Sequence, residues 1–138
     1  MTHFKIFKYQ ILIKEHHLDT FGHVNNAMYL SLLEEARWEF LNERGIDLKS
    51  IQETKVGPIV LEIHIKFLKE LILRQSILIE TQMISYEKKV GVMRQDILDE
   101  QGGLCSQAKI TFGVFDMNTR RLILPTPEWM HAIGGIQG

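Results

Sequence analysis

Asp19-Thr20-Phe21-Gly22-His23-Val24-Asn25-Asn26-Ala27-Met28-Tyr29 reads as a short polar turn running straight into a helix. The turn carries a carboxylate, an imidazole, two carboxamides and a glycine. Asn25 or Asn26 suits the N-cap, because either carboxamide oxygen can accept from the free amides of a first turn. Beyond it, Tyr29, Leu32, Leu33, Ala36 and Phe40 fall at i, i+3, i+4, i+7 and i+11. This spacing makes one apolar stripe on a helix of about four turns or more, with Gly45 as its stop. An acid and an imidazole thus sit at the positive end of a helix, where an anion formed during a reaction is stabilised.

Upstream, Phe7, Tyr9, Ile11 and Ile13 alternate with Lys8, Gln10 and Lys14, Leu12 being the exception, which predicts a half-buried strand. Downstream, residues 46–58 read as a linker with one helical turn, ended by Gly57-Pro58. Strands are expected over Ile59–Leu68, Leu73–Ser85, Val90–Leu98 and Leu104–Phe115. The last of these carries Leu104, Ala108, Ile110, Phe112 and Val114 on one face. Asp99-Glu100-Gln101-Gly102-Gly103 is a hairpin turn, and Asp116–Thr119 a second turn before a short final strand. Glu128–Ile133 reads as a helical turn. The order is strand, long helix, then a meander of about four strands, which is an α+β pattern with the sheet wrapped around the helix. A curved sheet with one helix leaves open edges, and pairing with a second subunit is one solution.

The 138 residues fit one domain, 1–138, and the 45% hydrophobic content is enough for a core. A formal net charge of -1 gives no global basic field to attract nucleic acid or an anionic membrane. Apolar runs are too short to span a bilayer. The N-terminus lacks the apolar core and cleavage site of a signal peptide. Cys105 is the only cysteine, so no internal disulfide is possible. These features predict a cytoplasmic protein.

The segment Asp19-x-x-Gly22-His23-Val24-Asn25-Asn26-x-x-Tyr29, with Glu34-x-Ala36-Arg37 on the same helix, resembles the hot-dog-fold acyl-CoA thioesterases. The nearest group is their 4-hydroxybenzoyl-CoA thioesterase-like branch. The Gly-His-Val-Asn-Asn core is also similar to that of plant acyl-ACP thioesterases. The resemblance implies a long central helix wrapped by a curved antiparallel sheet. It implies a homodimer with two composite sites, often paired into a homotetramer, an acyl-CoA substrate and no cofactor. It implies that Asp19 is the catalytic carboxylate and that the Asn26 amide polarises the thioester carbonyl. His23, Asn25 and Asn26 stand where the 4-hydroxybenzoyl-CoA enzymes carry apolar and aromatic residues, a departure that speaks against an aromatic acyl group and leaves aliphatic ones open. Lys88 and Lys89 match a basic pair that contacts the coenzyme A phosphates in the family. Lysine neutralises phosphate there but lacks the bidentate fork of arginine.

Each residue also has a plainer reading. Asp19 can attack the thioester carbon or act as a base on water, or it can merely shape an Asx-turn. Gly22 can bring the backbone close to the thioester, or serve only the turn. His23 can donate to substrate, orient Asp19 or pack. Asn25 can orient water or the carboxylate, or hold the loop. Glu34 is expected to pair with Arg37 at i, i+3, and Tyr29 to be a core residue whose hydroxyl needs a partner. Taken alone, Glu87-Lys88-Lys89 is a solvated hairpin turn, and Arg120-Arg121 a weaker basic spot. His16-His17-x-Asp19-x-x-x-His23 has metal-like spacing, but neighbours on a strand point to opposite faces, so no metal is expected. Cys105 reads as a packed thiol. The expected activity is hydrolysis of acyl-CoA to a free acid and coenzyme A. The alternatives are an acyl-ACP thioesterase and a non-catalytic acyl-CoA-binding module.

Overall fold

The computed structural model describes residues 2–137. Helix α1, Asn26–Glu43, is the stripe-bearing helix, and its buried residues are Tyr29, Leu32, Leu33, Ala36, Phe40 and Leu41. Asn25 is its N-cap: the side-chain oxygen accepts from the Met28 amide at 3.0 Å. The helix ends at Glu43, and Gly45 follows at φ 97°, a left-handed position that glycine occupies without strain.

Around α1 runs an antiparallel sheet. Its strands are β2 (Phe7–Leu12), β3 (Val56–Phe67), β4 (Ser76–Glu87), β5 (Val90–Leu98), β6 (Leu104–Asp116) and β7 (Arg121–Ile123). The order is β2-β4-β5-β6-β3, with β7 paired to β6. Along β4 and β5 alternate side chains are buried, so Ile77, Ile79, Met83, Met93 and Ile97 face the helix with Ala108, Ile110 and Phe112 of β6. Register slips between Val60 and Glu62 and between Met83 and Ser85 insert an extra residue in β3 and β4. Such bulges bend a sheet, and here they help curl it around α1. Phe7 stacks on Phe40 at 4.3 Å, and the Tyr9 hydroxyl donates to Glu35 at 2.6 Å, tying β2 to the helix.

Four sequence expectations need correction. The simple meander holds only for β4 to β6, because β3 crosses to the far edge beside β6 instead of lying next to β4. The linker contains a real helix, α2 (Leu48–Thr54), with Asp47 and Ser50 forming a reciprocal cap. Gly57-Pro58 does not end the linker but lies inside β3, opposite Phe115 and Val114. An edge strand tolerates proline where its missing N–H faces away from the neighbour. Finally, β4 begins at Ser76 instead of Leu73, and Gly135–Gln137 forms a strand, β8, paired with β1 (Thr2–Phe4), which periodicity had not marked. Helix α3, Pro127–Ala132, starts at an N-cap threonine, Thr126, and buries Trp129.

Candidate functional site

The motif loop is built around the Asp19 carboxylate. Its Oδ1 accepts from the Phe21 amide at 2.9 Å and the His23 amide at 3.1 Å. The Asp19 carbonyl accepts from Gly22, and the Asp19 amide donates to the His23 carbonyl. Gly22 sits at φ 81° with open space where a side chain would go, so backbone conformation alone requires glycine here. Asp19 therefore does shape an Asx-type turn, and this uses one of its two oxygens. No hydrogen bond to Oδ2 occurs among the described residues.

The helix start lies directly after this loop. Asn25 spends its carboxamide oxygen on the cap. Met28 is served by that cap, while the Asn26 and Ala27 amides have no partner among the described residues. Two N–H groups at a helix start, seven and eight positions after a half-buried carboxylate in the sequence, form a place where a carbonyl oxygen can gain negative charge.

His23 does not reach the Asp19 carboxylate with its ring. Nδ1 instead contacts Glu70 Oε1, and both side chains are exposed. Glu70 lies in the β3–β4 connection and was missed from the sequence, where nothing in its spacing marks it. The contact ties the motif loop to the end of β3. Tyr29 also belongs here: its ring meets Phe67 edge-on at 5.0 Å, and burial pushes its phenol up.

The remaining assignments change in detail. Glu34 and Arg37 make no ion pair among the described residues. Arg37 Nη1 donates to Gln95 Oε1 at 2.9 Å, and burial pulls the guanidinium below its ordinary value. His16 and His17 lie in a 3-10 turn, Glu15–His17, not on a strand, and His17 Nδ1 accepts from the Lys14 amide at 2.9 Å. Cys105 is fully buried, and that burial raises its pKa.

Lys88 and Lys89 form the exposed two-residue turn between β4 and β5, with Lys88 at φ 55°. They sit at the opposite end of the chain's own sheet from Asp19. Gly91, next to the turn, pairs with Phe112, which pairs with Val60 near the start of β3. The motif loop instead abuts the far end of β3, through Phe67 and Glu70. Seven residues of strand separate the two levels, about 23 Å at the usual rise. The structure brings Asp19, Gly22, His23, Asn25 and Asn26 together and leaves Lys88 and Lys89 apart from them.

A cavity of about 280 Å³ opens beside β3. Trp38, Phe40, Ile59, Phe112 and Trp129 belong to an apolar wall that Glu34 and Arg37 interrupt. This chamber lies at the β3-start level, the same end as Lys88 and Lys89.

Comparison with known proteins agrees with this architecture. Residues 13–133 match the model of the thioesterase-like superfamily. The chain belongs to that family. It is 33% identical to the long-chain acyl-CoA thioesterase FadM of Escherichia coli over 115 residues, which is 83% of this chain and 86% of FadM. The crystal structure of YbaW, a probable thioesterase from Escherichia coli, superposes with a TM-score of 0.77 at 31% identity, covering 91% of this chain and 94% of that one. A Staphylococcus aureus protein solved in complex with CoA superposes with a TM-score of 0.85 at 20% identity, over 95% of this chain and 83% of its own, and shares the fold. The α+β hot-dog fold expected from the motif is therefore the fold of this chain, and the protein is a thioesterase. Among the described residues no helix is long and apolar enough to cross a membrane.

Proposed function

We propose that this protein hydrolyses acyl-CoA thioesters, with Asp19 as nucleophile or general base. The observation that carries the reading is the half-used Asp19 carboxylate set one short loop ahead of two unpartnered amides, those of Asn26 and Ala27. The amides stabilise the oxyanion, and the free carboxylate oxygen attacks the carbonyl carbon or takes a proton from water. Asn25 and Gly22 hold the loop and helix start in place. His23, through Glu70, fastens the same loop to β3. The 33% identity to an acyl-CoA thioesterase supports coenzyme A as the carrier. No cofactor enters this chemistry.

The working unit in this reading is a homodimer. Ile59, Val60, Leu61, Ile63 and Phe67 of β3 are all exposed, on a strand paired along one edge only. An edge of this length, carrying this much apolar surface, is covered by a second copy in preference to water. Antiparallel pairing of two β3 strands sets the start of one beside the end of the other. Lys88, Lys89 and the apolar cavity of one chain then meet Asp19 of its partner. The lysines neutralise the nucleotide phosphates from the rim, and the acyl chain enters the cavity.

Thiol release from a panel of acyl-CoA esters tests the activity. Asp19→Asn keeps the Oδ1 acceptor that shapes the loop but removes the anion. Turnover should fall about a hundredfold or more with the melting temperature nearly unchanged. Near-native turnover by the Asn variant on the best substrate would remove Asp19 from the chemistry.

A further inference from the structure

Phe21 is 85% exposed, more than any other large apolar side chain among the described residues. It stands two positions after Asp19, inside the motif loop. Its backbone is held in place, because the Phe21 amide donates to Asp19 Oδ1 at 2.9 Å. The ring itself adds little to the packing of its own chain. A single exposed apolar side chain is ordinary on a protein surface. This one differs in where it stands relative to an open groove.

The groove runs along the helix side of β3. Val60, Ile63 and Phe67 pair with Phe112, Ile110 and Ser106 of β6, all three buried, and paired residues share a face of the sheet. Yet Val60, Ile63 and Phe67 are 41%, 37% and 44% exposed, so α1 leaves much of this strip open. At one end the strip meets the apolar cavity, whose wall includes Ile59 and Val60. At the other end stands the motif loop, where Phe67 meets Tyr29 and Glu70 meets His23. An exposed aromatic ring and an open apolar hole thus lie at opposite ends of one unpaired edge. A two-fold axis through the middle of β3 carries each onto the other. In such an isologous contact, what one copy offers its partner is offered back.

We infer that Phe21 of each copy closes the mouth of its partner's apolar cavity and forms one wall of the acyl-chain site there. An acyl chain whose thioester lies at Asp19 passes beneath Phe21 of the same copy as it enters the partner's cavity. The ring shields those methylenes from water, and longer chains place more of them under it. Phe21 is then a specificity-determining residue for chain length, supplied across the subunit boundary. The inference rests on the two-copy hydrolase reading above and adds to it the residue that closes the chain site.

Two measurements test it. In the first, a chain carrying Phe21→Cys is refolded together with a chain carrying Val60→Cys and treated with a short bismaleimide. The mixture should give a covalent dimer, and neither variant alone should, because like positions lie at opposite ends of the paired strands. Cys105 is fully buried and stays out of the reaction. This readout needs no turnover, so it decides the contact even if no acyl-CoA is hydrolysed. A dimer by light scattering whose mixture does not crosslink overturns the inference and leaves the hydrolase reading standing. In the second, Phe21→Ala is assayed by thiol release on saturated acyl-CoA esters of increasing length, with circular dichroism confirming the fold. Its kcat/KM should fall about tenfold or more on the longest esters, mainly through KM, and progressively less as the chain shortens. Phe21→Leu should recover most of that loss. An Ala variant that loses equally at every length, or at none, would overturn the inference.

Discussion

Consider a chain carrying Asp19→Asn mixed with a chain carrying both Lys88→Ala and Lys89→Ala. In each chain the motif loop abuts the Phe67 end of β3, while the lysine turn stands level with Val60. The two are about 23 Å apart along the strand. If each site joins Asp19 of one copy to the lysines of the other, the mixed dimer holds one site with both defects and one intact site. Random reassortment gives about half mixed dimers, each with one working site of two, so the mixture should regain about a quarter of wild-type activity. The assay is free-thiol release at a substrate concentration well below KM, where loss of phosphate contacts lowers the rate most directly. The subunits are unfolded together and refolded so that they exchange. If site and lysines belonged to one chain, no intact site could form, and the mixture would show only the mean of its two parents. That result would refute the composite site and return Lys88 and Lys89 to a solvated turn.

Two further outcomes follow from the packing and the charges. Leu33 is fully buried between helix and sheet, so Leu33→Ala should cost about 3–4 kcal/mol in urea unfolding, and a loss under about 1.5 kcal/mol would mean the site collapses around the gap. Asp99 closes the β5–β6 turn by accepting from Lys69 at 2.6 Å, from the Gly103 amide at 2.7 Å and from the Gln101 amide at 3.0 Å. The Lys69 hydrogen bond, foremost, holds Asp99 below its ordinary 3.8. A carboxyl depressed in the folded state stabilises fully above its unfolded value, and that contribution is lost as pH falls through the folded one. The melting-temperature gap between wild type and Asp99→Asn should therefore stay constant above about pH 5 and close below about pH 4. A gap independent of pH down to strong acid would show that the charge on Asp99 contributes nothing.

The local signals were strong where they repeat within a few residues. The helix stripe, a cap at Asn25 or Asn26, the Gly45 stop, the strands β4 and β5 and the inward Ala108, Ile110, Phe112 and Val114 of β6 were readable, because helical and pleated periodicities act over i to i+4 and i to i+2. The motif loop was readable for the same reason: every bond around the Asp19 carboxylate spans four residues or fewer. Family resemblance supplied the hot-dog fold, which no local period encodes. What tertiary structure alone decided lies at long separation. Arg37 finds Gln95 58 positions away, and His23 finds Glu70 47 positions away. Neither partner is marked in the sequence, since such contacts depend on which strands become neighbours. That β3 crosses past β4, β5 and β6 to pair with β6 was equally hidden, as was Gly57-Pro58 within it. Strand order follows from how the whole set of apolar faces is buried around α1, and the ends of each strand look alike until that choice is made. The separation of Lys88 and Lys89 from Asp19 along the chain's own sheet follows from the same choice, and it too is visible only once the sheet is assembled.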